Sequence, residues 1–97
     1  MKTKQKILTL NLKSCWYDLI EQGIKKEEYR EIKPYWSKRL LDENGESKKF
    51  DAVKFVYGYT KRTMMFKIDS IKIGAGKTEW GADPFLKYYV IKLGEKI

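Results

Sequence analysis

Histidine is absent from this chain of 97 residues, cysteine occurs once and proline twice. Without imidazole, the chain cannot assemble mixed Cys/His zinc sites, histidine-dependent serine triads or histidine-based general acid–base chemistry. A single cysteine, Cys15, excludes an intramolecular disulfide and points to a reducing, cytoplasmic setting. Cys15 falls at a predicted helix start, where a thiolate is somewhat favoured, but it has no histidine to act as its base. It therefore reads as a small buried or half-buried residue. Long apolar runs are also missing, and no window approaches the roughly 18 residues of a membrane span. The basic start, Met1 to Lys6, resembles a leader n-region, yet Asn11 and Lys13 interrupt the apolar run behind it, so no secretory signal is expected.

What is present suits one small folded domain. Hydrophobic residues make up 42% and aromatic residues 14%, enough for a core without metal or disulfide staples. The expected organisation is a single domain over residues 1–97. The formal charge is +8, and its excess is shared between the halves: 12 basic and 8 acidic side chains lie in residues 1–49, 9 and 5 in 50–97. A basic surface spread over a fold, rather than a tail, attracts polyanions, and nucleic acid is the natural first partner.

Leu8, Leu10 and Leu12 alternate along a first strand. Ser14 offers an N-cap for a short helix carrying Trp16, Leu19 and Ile20, and Gly23 suits its left-handed end. The segment Lys25 to Ile32 reads as a strand although six of its eight residues are charged. Pro34 fits the first turn of a second short helix with Trp36, Leu40 and Leu41 on its apolar face. Asp42 to Lys49, with Asn44-Gly45, is an exposed loop. A hairpin follows: Val53, Phe55, Tyr57 and Tyr59 share a face of one strand, and Met64, Phe66 and Ile68 share a face of the next. Ile71 and Ile73 then fall out of phase, so a bulge is expected near Asp69-Ser70. Beyond a loop from Gly74 to Asp83, Leu86 to Leu93 is apolar on both faces and reads as a buried central strand. The expected fold class is α+β, a small, partly closed mixed β-barrel with two short helices near the N-terminal half.

Gly74-Ala75-Gly76-Lys77-Thr78 ends like a phosphate-binding P-loop, but the required earlier glycine is replaced by Ile71 and no helix follows. It reads as a connecting loop whose Lys77, with Trp80, can touch a ligand from the rim. Tyr57, Tyr59, Tyr88 and Tyr89 read as core or sheet-face residues. Trp36 and Trp80, near basic and loop-adjacent positions, suit either packing or stacking on a base. On a strand, Lys26, Glu28 and Arg30 would project to one side and Lys25, Glu27 and Tyr29 to the other. Glu28 and Arg30 can bind a polar ligand or simply pair with one another.

Gly23-Ile24-Lys25-Lys26-Glu27-Glu28-Tyr29-Arg30, set just after an apolar strand and a short helix, resembles the G-x-K-x-x-E-x-R signature of ASCH domains, which are similar in fold to PUA domains. The Pro34-Tyr35-Trp36 and Trp80-Gly81-Ala82 segments also look like those of small bacterial and phage members. The resemblance implies a PUA-like barrel with a cleft beside the signature, binding RNA or a nucleotide, with Gly23, Lys25, Lys26, Glu28 and Arg30 as candidate ligand-binding residues and Trp36, Lys77 and Trp80 around them. Some small members hydrolyse acylated pyrimidine nucleosides with Lys, Thr and Glu. Lys25 matches that lysine, but Glu28 stands where the threonine would align, and Lys26 replaces the threonine that usually follows the signature lysine.

Three functions follow as expectations. The first is a binding module in which Lys25 and Arg30 hold phosphate or carbonyl oxygens and Glu28 accepts from a base or ribose donor. The second is an enzyme, a nucleoside amidohydrolase or a metal-assisted ribonuclease, with Lys25 and Glu28 as its catalytic groups. The third is a small adaptor whose basic surface serves an acidic protein partner. No cofactor and no resident metal site is expected.

Overall fold

The computed structural model describes residues 6–97. Met1 to Gln5, most of the basic start, lie outside the described residues. The elements follow in the order β1 (Ile7–Leu12), α1 (Ser14–Glu21), β2 (Glu27–Glu31), α2 (Pro34–Leu40), β3 (Ala52–Tyr57), β4 (Thr63–Ala75), a short 3-10 turn at Thr78–Trp80, and β5 (Lys87–Lys96). The five strands form one mixed, curled sheet in the order β1-β3-β4-β5-β2, a half-barrel of the α+β class. β1 runs parallel to β3, and the remaining neighbours are antiparallel.

The concave face holds the core. Leu8, Leu10 and Leu12 of β1 meet Val53 and Phe55 of β3, Met64 and Phe66 of β4, and Tyr89, Ile91 and Leu93 of β5. Tyr17 and Ile20 from α1 and Leu40 from α2 close it. Each fully buried leucine or isoleucine contributes about 1.5–3 kcal/mol against exposure. The period-two leucines of β1 thus do what their spacing predicts.

Ser14 does not cap α1. β1 stays paired until Leu12, whose carbonyl accepts from Gly58 N, so the chain turns at Lys13. The carbonyl of Lys13 accepts from both Trp16 and Tyr17, which makes Lys13 the cap and Ser14 the first helical residue. Gly23 ends the helix as expected, at φ +78°. Its N–H donates to Ile20 O while that of Ile24 donates to Leu19 O, the paired bonds of a Schellman motif. Lys25 N also donates to Leu19 O, which holds Lys25 in this turn and delays β2 until Glu27.

Three other expectations change. β3 stops at Tyr57, because Tyr57 O accepts from Thr60 N and Gly58 takes φ +56°, so Tyr59 leaves the sheet and is 97% exposed. β5 is second from the edge, between β4 and β2, and only Tyr89, Ile91 and Leu93 are buried; Lys92 is exposed, and Leu86 lies outside the strand and is exposed. Cys15 is exposed, since α1 turns Tyr17 and Ile20 inward. The phase slip in β4 is present as register shifts between Phe66 and Ile68 and between Ile68 and Ser70. The loop after α2 is organised by Asp42, whose Oδ1 accepts from Asn44 N and Glu46 N. Among the described residues, no helix is long and apolar enough to cross a membrane.

Candidate functional site

The curled sheet leaves its two edge strands, β1 and β2, facing one another across a gap. Arg30 reaches across it: Nη2 donates to Asn11 O at 3.2 Å, while Nη1 donates to Tyr29 O at 2.8 Å and to Glu28 Oε2. A cleft of about 530 Å³ lies over this crossing, lined on one side by Asn11, Leu12, Lys13 and Trp16 and on the other by Glu28, Tyr29, Arg30 and Glu31. Trp36 of α2, Trp80 and Gly81 of the β4–β5 connection and Tyr88 complete it. That volume suits a small ligand.

Beneath the cleft lies a buried charge cluster. Lys25 is 1% exposed, and its Nζ donates to Glu28 Oε1 at 2.5 Å and to Glu27 O at 2.7 Å. Burial holds Lys25 below the ordinary lysine value, opposed by the Glu28 carboxylate. Glu28, 5% exposed, therefore gives one oxygen to Lys25 and the other to Arg30. A carboxylate has about four lone-pair sites, so two remain for a ligand. Lys25 pairs with Glu28, rather than projecting away from it, because Lys25 precedes the strand and its side chain folds inward from the helix-terminating turn.

All three tryptophans of the protein line this cleft, and each carries a cation. Lys25 Nζ is 5.5 Å from the Trp16 ring centre, the Arg30 guanidinium 5.1 Å from that of Trp36, and Lys77 Nζ 4.5 Å from that of Trp80. Such contacts orient an indole; Trp36 carries a second cation, Arg39, 5.3 Å from its ring centre, and Gly81 lies close against the Trp16 ring.

Two tyrosines fasten the β4–β5 connection. Tyr29 Oη accepts from Lys77 N at 3.0 Å and donates to Glu27 Oε1 at 2.8 Å, and Tyr88 Oη accepts from Asp83 N at 2.9 Å. Burial pushes the Tyr29 phenol well above its ordinary range. Gly76 lies so close that a Cβ there would stand 2.6 Å from Ala82 Cβ and 2.9 Å from the Tyr29 ring. Gly76 of the P-loop-like segment thus serves close approach, which brings Trp80 and Gly81 to the cleft, whereas a Cβ at Gly74 would meet nothing within 4 Å.

Of the residues singled out in the sequence, Glu28, Arg30, Trp36 and Trp80 line the cleft. Lys25 lies behind Glu28 and Lys77 against Trp80. Gly23 acts through the turn that places Lys25. Lys26 is exposed, away from the lining, and its carbonyl accepts from Leu93 N. Trp16, Asn11 and Lys13 were not singled out, and Tyr88 reads in the sequence as a core or sheet-face residue although it lines the cleft; Trp16 sits at core-like helical spacing, which hides it. Among the described residues, no three His, Cys, Asp or Glu side chains gather in a group that could hold a metal ion. Comparison with protein-family models, curated proteins and solved structures gives no match for this chain.

Proposed function

We propose that the cleft binds a nucleobase, as part of RNA or of a nucleotide-like ligand, and that the domain is an ASCH-like, PUA-related binding module. The observation that carries this reading is the convergence of three indoles on the Glu28–Arg30 pair in one cleft. An aromatic slot accepts the flat base, with stacking contributing about 1–3 kcal/mol. The free lone pairs of Glu28 accept from an amino or imino edge, and Arg30 presents donors beside them. Lys25 takes a different part from the phosphate contact first expected. It is buried behind Glu28, where its hydrogen bond fixes the position of that carboxylate at the cleft.

Tryptophan fluorescence tests this directly, because every indole lies at the site. Titration with nucleosides, nucleotides, single-stranded RNA and duplex RNA at two salt concentrations is expected to quench emission, with saturation for at least one of them. No response to any of them at low salt overturns the reading.

One observation favours a second reading, hydrolysis of an acylated pyrimidine nucleoside: Lys25 sits against Glu28 at the floor of the cleft, and burial lowers its proton affinity while the Glu28 carboxylate raises it. Turnover of acetylated cytidine that disappears in Lys25→Met would support it. Turnover unaffected by that substitution would exclude this mechanism.

A further inference from the structure

The chain contains three arginines, at positions 30, 39 and 62. Arg30 pairs with Glu28 and Arg62 with Glu21. Among the described residues no carboxylate pairs with Arg39, and its two hydrogen bonds, to Tyr35 Oη and Thr9 O, are long at 3.4 Å each. Its guanidinium lies 5.8 Å from the Tyr35 ring centre and 5.3 Å from that of Trp36. Tyr35 itself is 59% exposed and meets Trp36 edge-on at 4.9 Å. An exposed aromatic ring and an ion without a counter-ion therefore sit side by side on α2, joined to the cleft by Trp36.

We propose that Tyr35 and Arg39 form a second nucleotide subsite, and that the ligand is a single strand of two or more nucleotides. This rests on the reading of the cleft as a base-binding site. The base in the cleft is flanked by Trp36. The neighbouring base stacks on Tyr35, and the phosphate linking the two takes the free donors of Arg39, whose planar fork matches two phosphate oxygens. Charge complementarity favours this occupant, since a phosphodiester supplies the anion that Arg39 lacks and a base supplies the flat partner for Tyr35.

The test compares a nucleoside with a single-stranded pentanucleotide, using the full chain and its Tyr35→Ala, Arg39→Gln and Trp36→Ala variants, with helicity checked by circular dichroism. The pentanucleotide is expected to bind at least about tenfold more tightly. Tyr35→Ala and Arg39→Gln should each remove about tenfold of pentanucleotide affinity and leave nucleoside affinity unchanged, whereas Trp36→Ala weakens both. Arg39→Gln should also reduce the steepness of the logarithmic salt dependence by about 0.7. Equal affinity for the two ligands, or equal losses for both in Tyr35→Ala and Arg39→Gln, overturns the second subsite and leaves the cleft reading standing. Absence of binding by either ligand removes the cleft reading itself. Displacement of the pentanucleotide by poly-glutamate that is insensitive to Tyr35→Ala assigns this face to an acidic protein and overturns the proposal.

Discussion

Lys25 and Glu28 form an ion pair, Nζ to Oε1 2.5 Å, in which the lysine is 1% exposed and the carboxylate is shared with Arg30. One anion thus serves two cations, and the pair is asymmetric. Removing the anion leaves two cations without their partner, whereas removing Lys25 leaves Glu28 with Arg30.

Glu28→Gln is therefore expected to destabilise the fold by about 3–5 kcal/mol, and Lys25→Met by about 1–3 kcal/mol. The double substitution should cost less than the sum of the two. Guanidinium unfolding of the three variants measures this, and Lys25→Met costing more than Glu28→Gln would contradict it.

Burial lowers the Lys25 pKa in the folded chain from its ordinary 10.5, so between the two values the unfolded state binds more protons. Stability from this group rises with pH across that window and is unchanged above 10.5. Tyr17 and Tyr29 act in the opposite sense: burial raises both above their ordinary 10.0, so their contribution falls once the pH exceeds that value. As the pH rises towards 10, the wild type should gain stability relative to Lys25→Met. Denaturant midpoints taken across that range would show a flat difference if Lys25 were unperturbed.

Arg30→Lys retains charge but loses the fork that reaches Glu28, Tyr29 O and Asn11 O together. A loss of about 1–3 kcal/mol is expected, with faster amide exchange in β1 and β2 than in β3 and β4. Uniform acceleration in all strands would show that Arg30 does not tie these two edges.

Gly76→Ala introduces a methyl group against Ala82 and Tyr29. The expected cost is about 1–3 kcal/mol, with altered Trp80 emission as the connection lifts. Unchanged stability and an unchanged spectrum would mean the loop adjusts without moving Trp80.

Much of this was legible in the residues. Alternation marked β1, Pro34 opened α2, Gly23 closed α1, and the changed phase of Ile71 announced the register shifts in β4. The charged stretch was also recognisable as something other than core. Its geometry was not, because strand alternation separates Lys25 from Glu28, and only the helix-terminating turn brings them together. Trp16 and Arg39 were hidden for another reason. Their spacing on α1 and α2 is what any amphipathic helix shows, and their importance depends on which strand edge they face. β5 is flanked by strands on both sides, but its burial was overread, because Tyr88 and Val90 look like core residues and are only half-buried, on the face opposite Tyr89 and Ile91 beside Tyr29.

The pairing of β2 carries a consequence for how this site comes into being. Its five residues hydrogen-bond as a strand only to β5, about sixty positions further along the chain. Contacts of such long sequence separation form late, after the entropy of closing the intervening loop has been overcome. Glu28 and Arg30 are synthesised early, but nothing holds their backbone in a sheet until residues 87–96 arrive. The cleft lined by Glu28 and Arg30 is thus completed only once β5 is in place.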